Sequence, residues 1–245
     1  MPKTVVITRA EPGASETERR LCQLGYACVR LPALEIAPAA ADGFEPPGAD
    51  ACYIFTSANG VRACLDAGWR TDLPAVCVGP ATLAAAVEAG FASRYNADGN
   101  ADDLYHLILN KFPVPEATAF VHVANADAVG DLVRRLRDAG YQARFAPLYS
   151  ARPVPWVDVR QSWQHSVPDD AVVLIHSAKG ASAVETWLGE GQIRTVDLSF
   201  VGVSERALGP LRNSGAGRLV SAERPNENEL VKALQSLAQP GVSSE

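Results

Sequence analysis

Residues 53–61 read Tyr-Ile-Phe-Thr-Ser-Ala-Asn-Gly-Val, and residues 173–181 read Val-Leu-Ile-His-Ser-Ala-Lys-Gly-Ala. An apolar run, a small polar turn and a glycine return in the same order. The doubling extends outward from there. Val5–Glu11, a helical stretch and Gly25–Leu34 are answered by Phe120–Ala126, a helical stretch and Gly140–Tyr149. Val76–Ala84 is answered by Phe200–Leu208. Units in fixed order, each present twice, describe two homologous domains. A cleft between two such domains is where a ligand is expected.

The chain has 245 residues, 47% hydrophobic and 20% charged, which suits two globular domains of modest size. A net charge of -6 speaks against general nucleic-acid binding, which needs a basic surface. The five cysteines, Cys22, Cys28, Cys52, Cys64 and Cys77, form no C-x-x-C pair. Several sit in apolar patterns, so they read as buried, reduced thiols. No apolar run has the length of a signal peptide or a membrane span. The expectation is a cytoplasmic protein with no membrane or nucleic-acid partner and a frayed tail after Pro240.

Short apolar runs without strict alternation predict strands covered on both faces. They are Val5–Ile7, Ala27–Leu31, Ala51–Phe55, Ala75–Val78, Ala119–Val123, Ala143–Leu148, Val172–Ile175, Phe200–Val203 and Arg218–Val220. Helical patterns at 16–24, 60–67, 81–89 and 131–139 each stop at a glycine, the expected C-terminal cap. A last helix is predicted over 226–237. Strand–helix alternation of this kind gives parallel sheets with helices on both faces. Two proline-rich passages, Leu31–Pro38 and Pro147–Pro155, interrupt it and read as extended connectors.

In such sheets ligands bind where strand carboxyl ends meet helix N-termini. The candidates fall there: Arg9 after the first strand; Thr56, Ser57, Asn59 and Gly60 after the third; Thr82 after the fourth. In the second half they are Asn125, Ser177, Lys179 and Ser204, with His176 on the same loop as Ser177. These loops are small, hydroxyl-bearing or glycyl, and each opens a helix. Their free N–H groups and helix dipoles suit anions. The same hydroxyls also suit plain N-caps. There is no G-x-G-x-x-G, no P-loop and no G-x-S-x-G. His106, His122, His165 and His176 have no metal-binding spacing, and no carboxylate pair stands out.

With these residues the chain resembles the uroporphyrinogen-III synthase family. The likeness is carried by Val5-Val6-Ile7-Thr8-Arg9, Leu31–Pro38, Phe55–Val61 and Val78–Thr82, then by the passage ending at Tyr149 and by Ala222–Leu234. The resemblance implies an α/β fold of two similar domains. Each is a parallel sheet flanked by helices, flavodoxin-like, and a two-stranded extended connector joins them. One domain would be discontinuous, 1–34 plus 155–245. The other would be continuous, 39–148, with connectors 35–38 and 149–154.

The implied reaction closes the linear tetrapyrrole hydroxymethylbilane, inverts its last pyrrole ring and releases water. No cofactor and no metal is implied. The substrate carries eight carboxylates, which amide donors and hydroxyls can bind. Its pyrroles supply the electron push, so the enzyme folds the chain and assists hydroxide departure. Tyr149 matches the family's tyrosine near the cleft, and reads either as a proton donor to the leaving hydroxyl or as a residue packed at the connector. Thr82 matches its threonine. A monomer is expected, because two domains already enclose a site, with transient contact with the preceding pathway enzyme.

The chain departs from the pattern at three places. Ala124-Asn125 stand for an Arg-Gly pair, Glu205 follows Ser204, and His176 replaces a threonine. A non-catalytic tetrapyrrole- or polyanion-binding module on the same scaffold is the competing reading. A two-domain protein of the periplasmic binding type is a third.

Overall fold

The computed structural model describes residues 4–39, 44–114, 117–128 and 130–237. The tail beyond Pro240 lies outside them. The elements begin β1 (Val5–Ile7), α1 (Gly13–Gln23), β2 (Cys28–Arg30), β3 (Leu34–Pro38), β4 (Ala51–Phe55), α2 (Ala58–Asp66) and β5 (Ala75–Cys77). They continue α3 (Pro80–Glu88), β6 (Arg94–Asn96), α4 (Ala101–Lys111), β7 (Ala119–Asn125), α5 (Leu132–Asp138) and β8 (Gln142–Pro153). The last are α6 (Trp156–Ser166), β9 (Val172–Ile175), α7 (Ala178–Glu190), β10 (Ser199–Gly202), α8 (Glu205–Leu208), β11 (Arg218–Ser221) and α9 (Glu227–Ser236). The chain divides into two units, Met1–Glu35 with Arg152–Glu245, and Ile36–Ala151.

The first unit holds a five-stranded sheet in the order β11-β10-β9-β1-β2, parallel throughout. Alternate residues of each strand face opposite layers, and both layers are apolar. Val5, Ile7, Val172 and Leu174 pack with Leu21 of α1 and Leu230 of α9. Val6, Val173 and Ile175 pack with Trp156 and Trp163 of α6 and Val184 and Trp187 of α7. This is why β1 and β9 read as unbroken apolar runs rather than alternating ones.

The second unit holds a six-stranded sheet in the order β3-β8-β7-β4-β5-β6. From β8 to β6 it is parallel. Tyr53, Phe55 and Val123 pack with Val61 and Cys64 of α2 and Ala86 of α3. Ile54 and Phe120 pack with Leu104 and Ile108 of α4 and Leu136 of α5 on the other face. β3 forms the edge beside β8. The N–H of Ala39 donates to Leu148 O and that of Val154 to Ala33 O, each at 3.0 Å, so the two strands are antiparallel.

The glycines predicted to stop helices have left-handed backbones: Gly25 at φ 84°, Gly68 at 68°, Gly90 at 80° and Gly140 at 91°. The differences from the sequence reading have local causes. The first helix starts at Gly13, not Glu16, because the turn at Pro12 opens it earlier. α6, which the sequence reading did not predict, starts directly after Pro155 where the connector passage ends, and is held by Trp156, Val159 and Trp163 on one face. β6 is only three residues, Arg94–Asn96, with no apolar run to announce it. Of the cysteines, Cys52, Cys64 and Cys77 are buried, but Cys28 is half-buried and Cys22 is exposed.

One glycine of the repeated motif is fixed by packing. A Cβ on Gly60 would lie 2.7 Å from Val123 O, so α2 can approach β7 only without a side chain there. At the matching Gly180 a Cβ meets only Ser177 Oγ, at 3.3 Å. Gly60→Ala is therefore expected to cost about 1–3 kcal/mol in a denaturant titration. Gly180→Ala should cost clearly less.

Candidate functional site

Each sheet contains a point where neighbouring strands send their helices to opposite faces. In the first unit β1 and β9 are paired. α1, which follows β1, covers the face of Val5 and Ile7, while α7, which follows β9, covers the face of Val6 and Val173. In the second unit β7 and β4 are paired. α5 follows β7 onto one face and α2 follows β4 onto the other. Diverging helices leave a crevice at the carboxyl ends of such strands. The sequence repeat makes β1 the counterpart of β7 and β9 that of β4. Arg9 and Ala124 therefore occupy matching places, with Asn125 one residue further on, as do His176 and Thr56.

In the second unit three of the predicted residues meet. β8 carries a register shift: Ala124 pairs Pro147, and Asn125 pairs Tyr149. Pro147 has no N–H for the ladder, which fits a break there. The shift sets Tyr149 opposite Asn125, and the Ser57 hydroxyl and the Asn125 main chain are near enough to its buried phenol to act on its ionisation. Burial pushes the phenol above its ordinary value of 10, and those two contacts offset only part of the rise. Tyr149 is thus protonated at neutral pH. Ser57 is also the N-cap of α2, accepting from Asn59 N–H at 3.2 Å. Asn59 Oδ1 in turn accepts from Arg62 at 3.5 Å, and Asn125 Oδ1 accepts from Asp127 N–H at 2.9 Å.

Thr56 points the other way. Its hydroxyl lies 3.0 Å from His122 Nε2, at a cavity of about 460 Å³ lined also by Leu132, Arg135 and Phe145. Burial lowers His122 to about 4, so the imidazole is neutral. Thr82 is buried in the first turn of α3, whose N-cap is Gly79.

The first unit gathers a different set. Glu227, at the N-terminus of α9, accepts from the Thr17 hydroxyl at 2.7 Å, from Arg9 Nη1 at 3.3 Å and from His176 Nε2 at 3.3 Å. Burial alone would raise the Glu227 carboxyl. His176, Thr17 and Arg9 outweigh it and hold the group at about 2. Burial lowers His176 more than its contact with Glu227 raises it. Thr8 is spent on the fold, donating to Leu174 O at 2.6 Å.

Ser177 caps α7 through Gly180 N–H at 3.0 Å, and Lys179 lies in the first turn of that helix. Ser204 caps the short α8 through Ala207 N–H at 3.2 Å. Glu205 beside it is bound by Arg212 at 3.0 Å, so its charge is already met. Sequence reasoning passed over Glu227, Thr17 and His122. Glu227 and Thr17 read as ordinary polar positions at a helix start, and His122 as one more alternating strand residue. Only the tertiary fold joins them to Arg9, His176 and Thr56.

Two largely parallel sheets flanked by helices, with small polar loops at their switch points, place the chain in the α/β class. The comparisons make that class specific. The family model described as uroporphyrinogen-III synthase HemD matches residues 15–232. The fold is similar to that of uroporphyrinogen-III synthetase from Helicobacter pylori. That structure gives a TM-score of 0.66 at 14% identity, over 97% of this chain and 100% of that one. A mutant uroporphyrinogen III synthase from the extremely thermophilic bacterium Thermus thermophilus gives 0.52 at 15% identity, over 96% and 97%. No curated protein sequence matches the chain. The chain belongs to the uroporphyrinogen-III synthase family. Its activity is that of a cyclising lyase of tetrapyrrole and haem biosynthesis. Among the described residues no helix is long and apolar enough to cross a membrane.

The buried imidazoles give a pH signature. His122 falls from 6.5 to about 4 on folding, so its contribution is complete above pH 6.5 and is lost as pH drops toward 4. The loss amounts to roughly 3 kcal/mol, with His176 acting in the same direction. Glu227 adds a second loss between 4.5 and about 2. Denaturant midpoints measured from pH 8 to 4 should fall, and His122→Gln should flatten the fall above pH 4.5.

Proposed function

We propose that this chain closes hydroxymethylbilane to uroporphyrinogen III, with inversion of the terminal ring and loss of water, using Tyr149 as the proton donor. The observation that carries this is the buried, protonated phenol held beside Ser57 and Asn125 at a strand carboxyl end. Electron density from the pyrrole expels the hydroxyl. Tyr149 donates to the departing oxygen, so water rather than hydroxide leaves. A neutral donor suits the task better than an acid, because a carboxylate there would face a substrate with eight of its own.

Binding in this reading is shared by many weak donors. Thr56, Ser57, Asn59, Gly60, Thr82 and Asn125 act from the second unit. Arg9, Ser177, Lys179 and Ser204 act from the first. Helix N-termini and hydroxyls there bind carboxylates without a basic surface. Each unit is read as a flavodoxin-like domain, since the order β2-β1-β9-β10-β11 is that of a doubly wound sheet with its switch beside the first strand. The proposed domains are 1–34 plus 155–245, and 39–148. Residues 35–38 and 149–154 are the two-stranded connector. The enzyme is further proposed to be a cytoplasmic monomer. Its substrate closes spontaneously to isomer I, which favours transient contact with the enzyme that supplies it.

Tyr149→Phe is expected to lower kcat about 100-fold while changing stability by no more than about 1 kcal/mol. Ser57→Ala and Thr82→Ala should act mainly on KM. Rates unchanged in all three, with lowered melting temperatures, would mean that these loops are structural.

A further inference from the structure

We infer that Glu227 is a positioning residue: it holds the Arg9 guanidinium at the first unit's switch point so that Arg9 can take a carboxylate of the substrate. The inference rests on the reading above, in which Arg9 contacts substrate, and extends it to residues that reading does not assign.

The geometry is that of a clamp. Arg9 leaves the carboxyl end of β1 with about a third of its side chain exposed. An arginine so placed would ordinarily sample many rotamers, and ordering it on binding carries an entropic cost. Here one edge is fixed. Nη1 donates to Glu227 Oε2 at 3.3 Å and reaches Thr17 Oγ1 at 3.5 Å. The carboxylate is itself held by the Thr17 hydroxyl and by His176 Nε2. Its position is therefore set from α1, β9 and α9 at once. The far side of the guanidinium lies flat on Gly13. A Cβ there would come within 2.3 Å of Nε, 2.4 Å of Cζ and 2.5 Å of Nη2. The Glu227 contact on one edge and the bare backbone of Gly13 against Nε, Cζ and Nη2 narrow the orientations open to the group. A planar guanidinium already oriented binds a carboxylate with less loss of freedom.

Gly13 supplies the decisive variant. It opens α1, where alanine is a better helix former than glycine. The atoms its methyl would meet belong to the movable end of a side chain. Gly13→Ala should therefore fold normally, with unchanged or slightly raised Tm, yet push Arg9 out of place with every charge retained. The experiment measures KM and kcat for hydroxymethylbilane in wild type, G13A, E227Q, R9A and R9A/E227Q. We expect G13A and E227Q to raise KM about 5–10-fold with kcat within about twofold. The double variant should be no worse than R9A alone, because Glu227 acts through Arg9. If R9A raises KM and G13A and E227Q do not, the positioning role is wrong while Arg9 keeps its place at the substrate. A lowered KM in E227Q would also overturn it, since Glu227 would then be masking the charge of Arg9. An unchanged KM in R9A removes Arg9 from the site and this inference with it. If E227Q does not fold, G13A decides.

Discussion

A parallel strand whose neighbour sends its helix to the opposite face has nothing to cover its carboxyl end. That constraint governs this chain. It is met between β1 and β9 in one unit and between β7 and β4 in the other. The backbone groups exposed there must be satisfied by caps, by neighbouring side chains or by ligand. Ser57 and Ser177 cap the helices that leave one side of each crevice. On the other side the two copies have diverged, with Arg9 in one where Ala124, followed by Asn125, stands in the other. One unit presents a held cation, the other a neutral turn beside a phenol.

The phenol depends on a small backbone irregularity. Had β8 kept its register through Pro147, Leu148 and not Tyr149 would face Asn125. A residue without an N–H, placed where the ladder needs one, converts a strand into a device that re-aims a side chain. Burial then does the rest. It raises the phenol above its ordinary value of 10.

Much of this was legible in the sequence because the physics is local. Unbroken apolar runs, glycines at helix ends and a doubled turn motif require parallel α/β units, and Ser57, Tyr149 and Asn125 were recognisable at strand ends. What was not legible is long-range. Glu227 lies 218 residues from the Arg9 it binds, and Thr17 is one polar residue among several in a helix. The helix at Trp156–Ser166 was hidden by Pro153 and Pro155, since proline signals extended chain and a helix start alike. Glu205 read as a charge opposed to an anionic substrate, and only the fold pairs it with Arg212.

The most direct test is of the product. Hydroxymethylbilane is generated enzymatically, the protein is added, and the oxidised uroporphyrin isomers are separated by chromatography. A dominant isomer III is the result expected of loops that fold the bilane before it closes. Isomer I alone, the product of spontaneous closure, would mean that the chain keeps the family's fold without its chemistry.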